Sequence, residues 1–589
     1  MVLTNGIRRL SLVGAILLAG FGCKGTIGRP GSSGPSVPGS SAAGSGGGVP
    51  STGTGQPTGP GTTAPPGPTG GVGNTFIDQD SPALERLTNV EYSRTVTDVF
   101  GEAPDAATRY SFPADPTQHG FDNNVALLQI SSTHAGLYAT AAETIATSTL
   151  ADATRRALVA SCDLTTGGAC LQTMITHLGR RLYRRPLTAA EVTDYTSLAQ
   201  AGAIASDPYS GPATVIEAML QSPHFLYRVQ LGVPDPKRMG IVGLSGFELA
   251  TRLSFLLLGT TPSDALLDQA AAGGLDTSTG ASSVVKQLLA DPLARRGVKR
   301  FYEQWLPLDE MSGPTADAER VPHMGDTVLA ADMATETSRF IDDVLWDAGG
   351  AVPDILTSRY TFVNANLAKV YGLPAPPASA TDGWAKVMFD ASSTRAGVLT
   401  QGSIMAAGSH NGTTSNTRRG QMVREQLLCQ DIPAPPPGVN ANLPPPTAGE
   451  TEQQTFARHT TDASCSACHT LMDPIGWGLS GFDAAGVART KDSNGQPIST
   501  KGQINGMTPP DFNGPVELGQ KLAASPEFKA CFAKQLFRYV YGRVETQADG
   551  QGITELQTAF TTASWDLRGG LAALVGSDGF RYRNKGDAP

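Results

Sequence analysis

The sequence predicts a mainly α-helical body in several segments, preceded by a disordered linker. Three observations carry this. Strict two-residue alternation of apolar and polar residues is scarce after residue 80, whereas apolar residues recur at helical spacing. Three capping boxes, Thr88–Glu91, Thr188–Glu191 and Ser245–Glu248, each precede such a run and mark helix starts. Residues 24–74 are dominated by Gly, Pro, Ser and Thr, with too little apolar surface to offset the entropy of ordering.

The N-terminus reads as an export signal over 1–23. Arg8 and Arg9 supply positive charge, Leu10 to Ala19 is a short apolar run, and Cys23 follows. The run is too short to span a bilayer. Cys23 at its end points to lipidation, although Gly20 and Phe21 depart from the usual pattern before such a cysteine. The linker, taken as 24–80, then acts as a leash that holds the body clear of a membrane. That predicts an exported lipoprotein of the outer membrane or cell surface, with the periplasm as the alternative. The chain has 589 residues, 16% of them charged, and a net charge of −9. No long Lys/Arg run occurs, which argues against nucleic acid as a partner.

In the body, the run from Phe247 to Leu257 is apolar nearly all round and predicts a buried core helix. Gly259 stops it, and Thr260 to Ser263 starts another helix that includes Leu266 and Leu267. Later helices are expected over 285–306, 328–347, 365–371, 417–429, 515–524, 526–542 and 552–560. Pro/Gly-rich breaks fall near 232–243, 373–382, 431–447 and 504–515. The prolines from Pro433 to Pro446 favour an extended polyproline strap.

One motif bears chemistry. Cys465–Ser466–Ala467–Cys468–His469 is C-x-x-C-H, the attachment pattern for a c-type haem. Two thiols one helical turn apart can add to the two vinyl groups of one porphyrin, and His469 then reaches the iron as proximal ligand. The expectation is one covalent haem c in a cytochrome c-like C-terminal half. A zinc site needs further ligands, and no second CxxC or HxxxH exists. The same two cysteines could instead form a redox dithiol or a disulfide across two residues. No G-x-S-x-G, HExxH, P-loop or dinucleotide fingerprint occurs.

The chain has 7 cysteines. With Cys23 lipidated and Cys465 and Cys468 on haem, four remain, an even number in an oxidising compartment. Cys162 and Cys170 flank a Thr-Thr-Gly-Gly turn and can close a short loop. Cys429 and Cys531 pair by elimination. For the distal iron position, Met507 in a Gly/Pro-rich loop competes with His459 and His410, and an open position is a further option. Pro474 is expected to break or kink the motif helix. Trp477 and Phe482 are candidates to pack on the porphyrin. Arg489 is expected to meet a propionate or Asp483, while Asp473 and Asp483 also suit turn and cap roles.

Several segments together resemble the planctomycete-type secreted cytochrome-like proteins, which are built from consecutive domains of unknown function and also occur in predatory and social soil bacteria. The resemblance rests on Leu87–Thr88–Asn89–Val90–Glu91–Tyr92, Gly120–Phe121–Asp122–Asn123, Tyr183–Arg184–Arg185–Pro186–Leu187–Thr188, Leu253–Ser254–Phe255–Leu256, Thr361–Phe362–Val363–Asn364 and Tyr371–Gly372–Leu373–Pro374. It continues through Arg418–Arg419–Gly420, Leu428–Cys429, His459, Cys465–His469, Asp473–Pro474–Ile475–Gly476, Phe482–Asp483, Arg489, Phe537–Arg538–Tyr539 and Gly542–Arg543. It implies helical segments of unknown function over 83–150, 160–232 and 240–373. A CxxCH segment over 390–492 and a C-terminal helical segment over 505–583 follow. Ser480 stands where similar proteins tend to have Glu. The resemblance favours His459 over Met507 as distal ligand.

The function expected is one-electron transfer at the cell surface or periplasm, to a redox protein that the sequence does not name. One alternative is a haem oxidoreductase with an open distal site. Another is a polysaccharide-binding or scaffold lipoprotein, for which Tyr92, Trp305 and Trp384 are the candidate sugar platforms.

Overall fold

The three capping boxes close as the sequence predicts. Glu91 accepts from the Thr88 backbone N–H at 2.9 Å while the Thr88 hydroxyl accepts from Glu91 N–H at 3.2 Å. The same reciprocal pair forms at Thr188–Glu191 and Ser245–Glu248. Each box satisfies two of the N–H groups that a helix start leaves without partners. The helices that follow are Asn89–Phe100, Ala189–Ala201 and Gly246–Leu257. The last is buried along its length from Leu249 to Leu257, as an all-round apolar helix requires.

The structure is a computed structural model that describes residues 76–78, 82–308, 327–380, 382–410, 413–433, 444–461 and 463–585, with the side chains of His410 and His459 outside the description. Cys23, residues 24–75 of the linker and most of the proline strap also lie outside the described residues, whereas Phe76 and Asp78, placed in the linker by the sequence, are buried in the body. Among the described residues, no helix is long and apolar enough to cross a membrane.

The chain is mainly helical, and most expected helices appear: Thr327–Asp342, Ala365–Tyr371, Asn416–Met422, Gly514–Ala524, Pro526–Tyr541 and Gly550–Thr562. The stretch over 285–306 differs. It forms two helices, Ser278–Leu288 and Arg295–Trp305. Between them Asp291 caps a short turn that opens with Pro292. Pro292 lacks the N–H an uninterrupted helix would need there.

Short antiparallel strands staple distant segments. Leu84–Arg86 pairs with Tyr227–Val229, and Ile241–Gly243 pairs with Tyr582–Asn584 near the C-terminus. Arg543 lies across Asp78 and Asp549 at 2.8 and 2.7 Å, all three buried.

Two main apolar clusters result. One gathers Val96, Phe100, Ile145, Leu178 and Ile216 from the first two segments. The other runs from Phe76 through Leu253, Trp305 and Phe340 to Ile475, Phe532 and Phe560. Ile475 sits on the motif helix, so the motif segment shares its core with the body. Tyr92 and Trp305 are each 1% exposed. They are core residues and cannot serve as sugar platforms; Trp384 is half-buried with Arg339 over its ring.

Candidate functional site

The motif lies on the helix Ala463–Gly478, which passes through Pro474 without ending there. Of the break or kink expected, the break is absent, and the carbonyl that proline frees finds another donor. Pro474 cannot donate to Thr470, four residues back. The Asn505 side-chain amide takes its place, donating to Thr470 O at 2.8 Å. The next carbonyl, Leu471 O, accepts from Arg424 Nε at 3.0 Å.

The motif helix crosses Asn416–Met422 at two glycines. A Cβ on Gly420 would lie 1.9 Å from Met472 O, and one on Gly476 would lie 1.8 Å from Asn416 O. Only glycine allows backbones this close. The approach carries Thr417 to Asp473, where its hydroxyl donates to Oδ1 at 2.7 Å. The other carboxylate oxygen of Asp473 accepts from His469 Nδ1 at 2.9 Å. Asp473 is 7% exposed. Its hydrogen bond holds the His469 imidazole above its ordinary pKa, against the opposing effect of burial. Residues 465, 469 and 473 follow one another at four-residue spacing and share a helix face.

Cys465 and Cys468 are half-buried and belong to neither disulfide. Chemically, this turn of helix offers two thiols able to form thioethers and an imidazole whose Nδ1 is occupied by a carboxylate. That leaves Nε2 as the nitrogen suited to a metal. Among the described residues, no group of three or more His, Cys, Asp and Glu converges as an all-protein metal site.

The surroundings are held by a buried arginine. Arg419 is fully buried and donates to Leu479 O, Phe482 O and Asp483 O at 3.0, 2.7 and 2.6 Å. It gathers the carbonyls just beyond the end of the motif helix, and burial pushes its pKa down to about 9. Asp483 is a turn residue whose Oδ1 accepts from Ala485 N–H and Val487 N–H. Arg489 does not meet Asp483. It donates to Ser480 O at 2.8 Å and lies 3.8 Å from Glu452. Phe482 is 1% exposed within the main core with Arg395 over its ring, so it offers no open face to a porphyrin. Trp477 stacks edge-on with Phe456. Ser480 is buried and donates to Trp477 O at 2.8 Å.

Of the distal candidates, Met507 packs half-buried against the main core. Its loop nonetheless lies beside the motif helix through Asn505. The structure pairs Cys162 with Cys170 and Cys429 with Cys531. The second bond ties the segment before the motif to the helix Pro526–Tyr541.

Sequence reading named Asp473 only as a turn or cap residue. The signal for its contact was present in the spacing, an Asp four residues after a His on one helix. Thr417 and Asn505 had no comparable signal, because their roles depend on packing between distant segments.

Comparison with known families matches five consecutive stretches, each described as a protein of unknown function: DUF1587 over 85–151, DUF1595 over 170–230, DUF1592 over 244–373, DUF1588 over 395–492 and DUF1585 over 510–580. The DUF1588 stretch, named PSCyt3, contains the CxxCH motif and both glycines of the crossing. No curated protein and no solved structure matches the chain. With all five present in order, the chain belongs to the planctomycete-type multidomain family of cytochrome-like domains of unknown function.

Proposed function

We propose that this protein is an exported c-type cytochrome that passes single electrons, tethered to the outer membrane or cell surface by a lipid on Cys23. The observation that carries the reading is the arrangement on one helix face. Cys465 and Cys468 stand half-buried one turn apart, and the adjacent His469 is oriented by Asp473 through Nδ1. A carboxylate on the far nitrogen of a metal-binding histidine fixes the tautomer and raises ligand basicity. The donor set therefore fits a haem that would be held by two thioethers and one imidazole.

In this reading Cys465 and Cys468 anchor the group and His469 Nε2 is its proximal ligand. A bound haem would supply reversible one-electron chemistry at iron. The chain's part is to orient His469 through Asp473 and Thr417, and to keep the helix in place through the glycine crossing. His459 and Met507 are the distal candidates, and the redox partner is a protein. The leash, which ends before the buried Phe76, sets the reach of the body from the lipid.

The test is a pyridine haemochrome spectrum of the full chain, expressed in a periplasm with haem-attachment machinery and extracted with acid-acetone to remove loose haem. A covalent c-type band that is lost in Cys465→Ala/Cys468→Ala supports the proposal. A folded protein that retains no haem overturns it and leaves a tethered binding or scaffold lipoprotein. In the haem-bearing protein, His459→Ala and Met507→Ala identify the sixth ligand by which one alters the low-spin spectrum. A high-spin spectrum that neither variant changes would favour the haem oxidoreductase.

A further inference from the structure

A cavity whose lining does not include Cys465, Cys468 or His469 lies where the motif segment meets the start of the helix Gly514–Ala524. Its volume is about 530 Å³, within the roughly 300–1,000 Å³ of small-molecule pockets. Two arginines from different segments line it, Arg359 and Arg489.

Each guanidinium is anchored by part of its donor set. Arg359 donates through Nη2 to Asp390 O and Ser393 O, and Arg489 through Nε to Ser480 O. Neither Nη1 donates to a group among the described residues. The one carboxylate in the lining is Glu517, which accepts from Asn513 N–H at 2.7 Å. Glu452 stands 3.8 Å behind Arg489, outside the lining, so the charge facing the cavity is set by how the two guanidiniums are presented and not by a net excess.

The same wall adds a backbone donor. Val516 is in the first turn of an 11-residue helix whose cap residue, Asn513, makes no side-chain capping bond. First-turn N–H groups have no acceptor within their own helix. The rest of the lining is mixed, with Ile498 and Val516 apolar and Thr490 and Thr500 hydroxylated.

We propose that this cavity binds a small hydroxylated organic anion, its carboxylate or phosphate end held between Arg359 and Arg489. The cavity is far larger than an inorganic oxyanion, and its apolar and hydroxyl-bearing walls suit a polyol body. This site is independent of haem attachment and stands or falls apart from it.

The test is isothermal titration calorimetry on the folded full chain, whether or not it carries haem, with three probes: D-glucuronate, D-glucose and inorganic phosphate. Glucuronate is expected to bind, with glucose and phosphate at least about tenfold weaker, the loss expected for one charge-assisted hydrogen bond. Arg489→Gln and, separately, Arg359→Gln are each expected to weaken glucuronate binding at least about tenfold. Because either arginine also braces a loop, Thr394→Trp at the exposed rim provides a second route: it narrows the mouth and leaves both guanidiniums in place. It is expected to abolish binding with the thermal midpoint and far-UV circular dichroism unchanged. Absence of glucuronate binding overturns the proposal. So does phosphate binding as tight as glucuronate, or affinity unchanged in all three variants.

Discussion

Alanine at Gly476 tests the crossing on which the site depends. The added Cβ would stand 1.8 Å from Asn416 O, where about 3.0 Å is the closest that real contacts allow. The obstacle is a backbone carbonyl and cannot rotate away, so the helices must part by about 1.2 Å. A gap of roughly 1 Å forfeits up to about half of the dispersion attraction across the contact. Overpacking of this kind costs about 1–3 kcal/mol, and alanine returns about 1 kcal/mol of helix propensity. The expected net loss is about 1 kcal/mol, and at most about 2. Gly420→Ala should cost a similar amount, since its Cβ would stand 1.9 Å from Met472 O. Once one alanine has separated the helices, the second has less left to disrupt. The pair should therefore be non-additive by at least about 0.5 kcal/mol. Equilibrium urea unfolding of the full chain, followed by far-UV circular dichroism, measures all four corners of the cycle. A Gly476→Ala protein as stable as the parent, or two losses that simply add, would refute the crossing.

Three further outcomes follow from other parts of the molecule. Glu336 is 1% exposed, accepts from Tyr371 Oη at 2.7 Å and from Thr361 Oγ1, and is pushed up to about 7 by burial. A raised carboxyl pKa means the folded state holds the proton longer. Stability is then full below about pH 4.5 and falls as pH rises through about 7, by about 3 kcal/mol, and Glu336→Gln should flatten that stretch of the stability profile. Removing the Cys429–Cys531 bond, which spans 102 residues, should cost about 5 kcal/mol, against about 2.5 for Cys162–Cys170, which spans 8; denaturation midpoints of the two double-serine variants would read the order, and equal losses would contradict it. If haem is attached, Asp473→Asn should keep the covalent band and raise the reduction potential, because the ligand loses basicity; spectroelectrochemical titration reads this, and an unchanged potential would count against the orienting role.

Much of the fold was legible because helix starts are written locally. Thr88 and Glu91 are three residues apart, and their reciprocal bonds need nothing from elsewhere in the chain. The CxxCH turn was legible for the same reason. What stayed hidden was decided between segments. Pro474 argued locally for a break or kink, yet the helix continues, and Asn505, thirty-one positions on, supplies the missing donor to Thr470 O. Tyr92 and Trp305 are buried, as is usual for scattered aromatics, but which partners bury them was decided between segments. The polar cluster around Glu336 had no sequence signal, since its partners Thr361 and Tyr371 come from other elements and Gly402 N–H joins at Tyr371 Oη.

That same distribution of partners bears on why so large a helical body accompanies one small motif. The motif segment does not close its own bonds. Trp305 of the body donates through Nε1 to Gln426 O at 2.6 Å, and Arg424 reaches Asn505 O at 3.0 Å. Cys429 is bonded to Cys531, and Ile475 is buried in a core that also contains Phe340 and Phe532. A fragment of residues 390–492 would lose the helix Pro526–Tyr541, the Asn505 loop and the Trp305 face together. Each buried polar group left unpaired costs about 1–3 kcal/mol, and a typical domain has only about 5–15 kcal/mol in reserve. Three such losses, added to the exposed apolar face around Ile475, consume that reserve. The fragment is therefore expected to show no cooperative thermal transition, whereas the full chain shows one. A fragment that melts cooperatively and keeps haem would mean the motif segment is self-sufficient, and the body would then need a role other than holding it together.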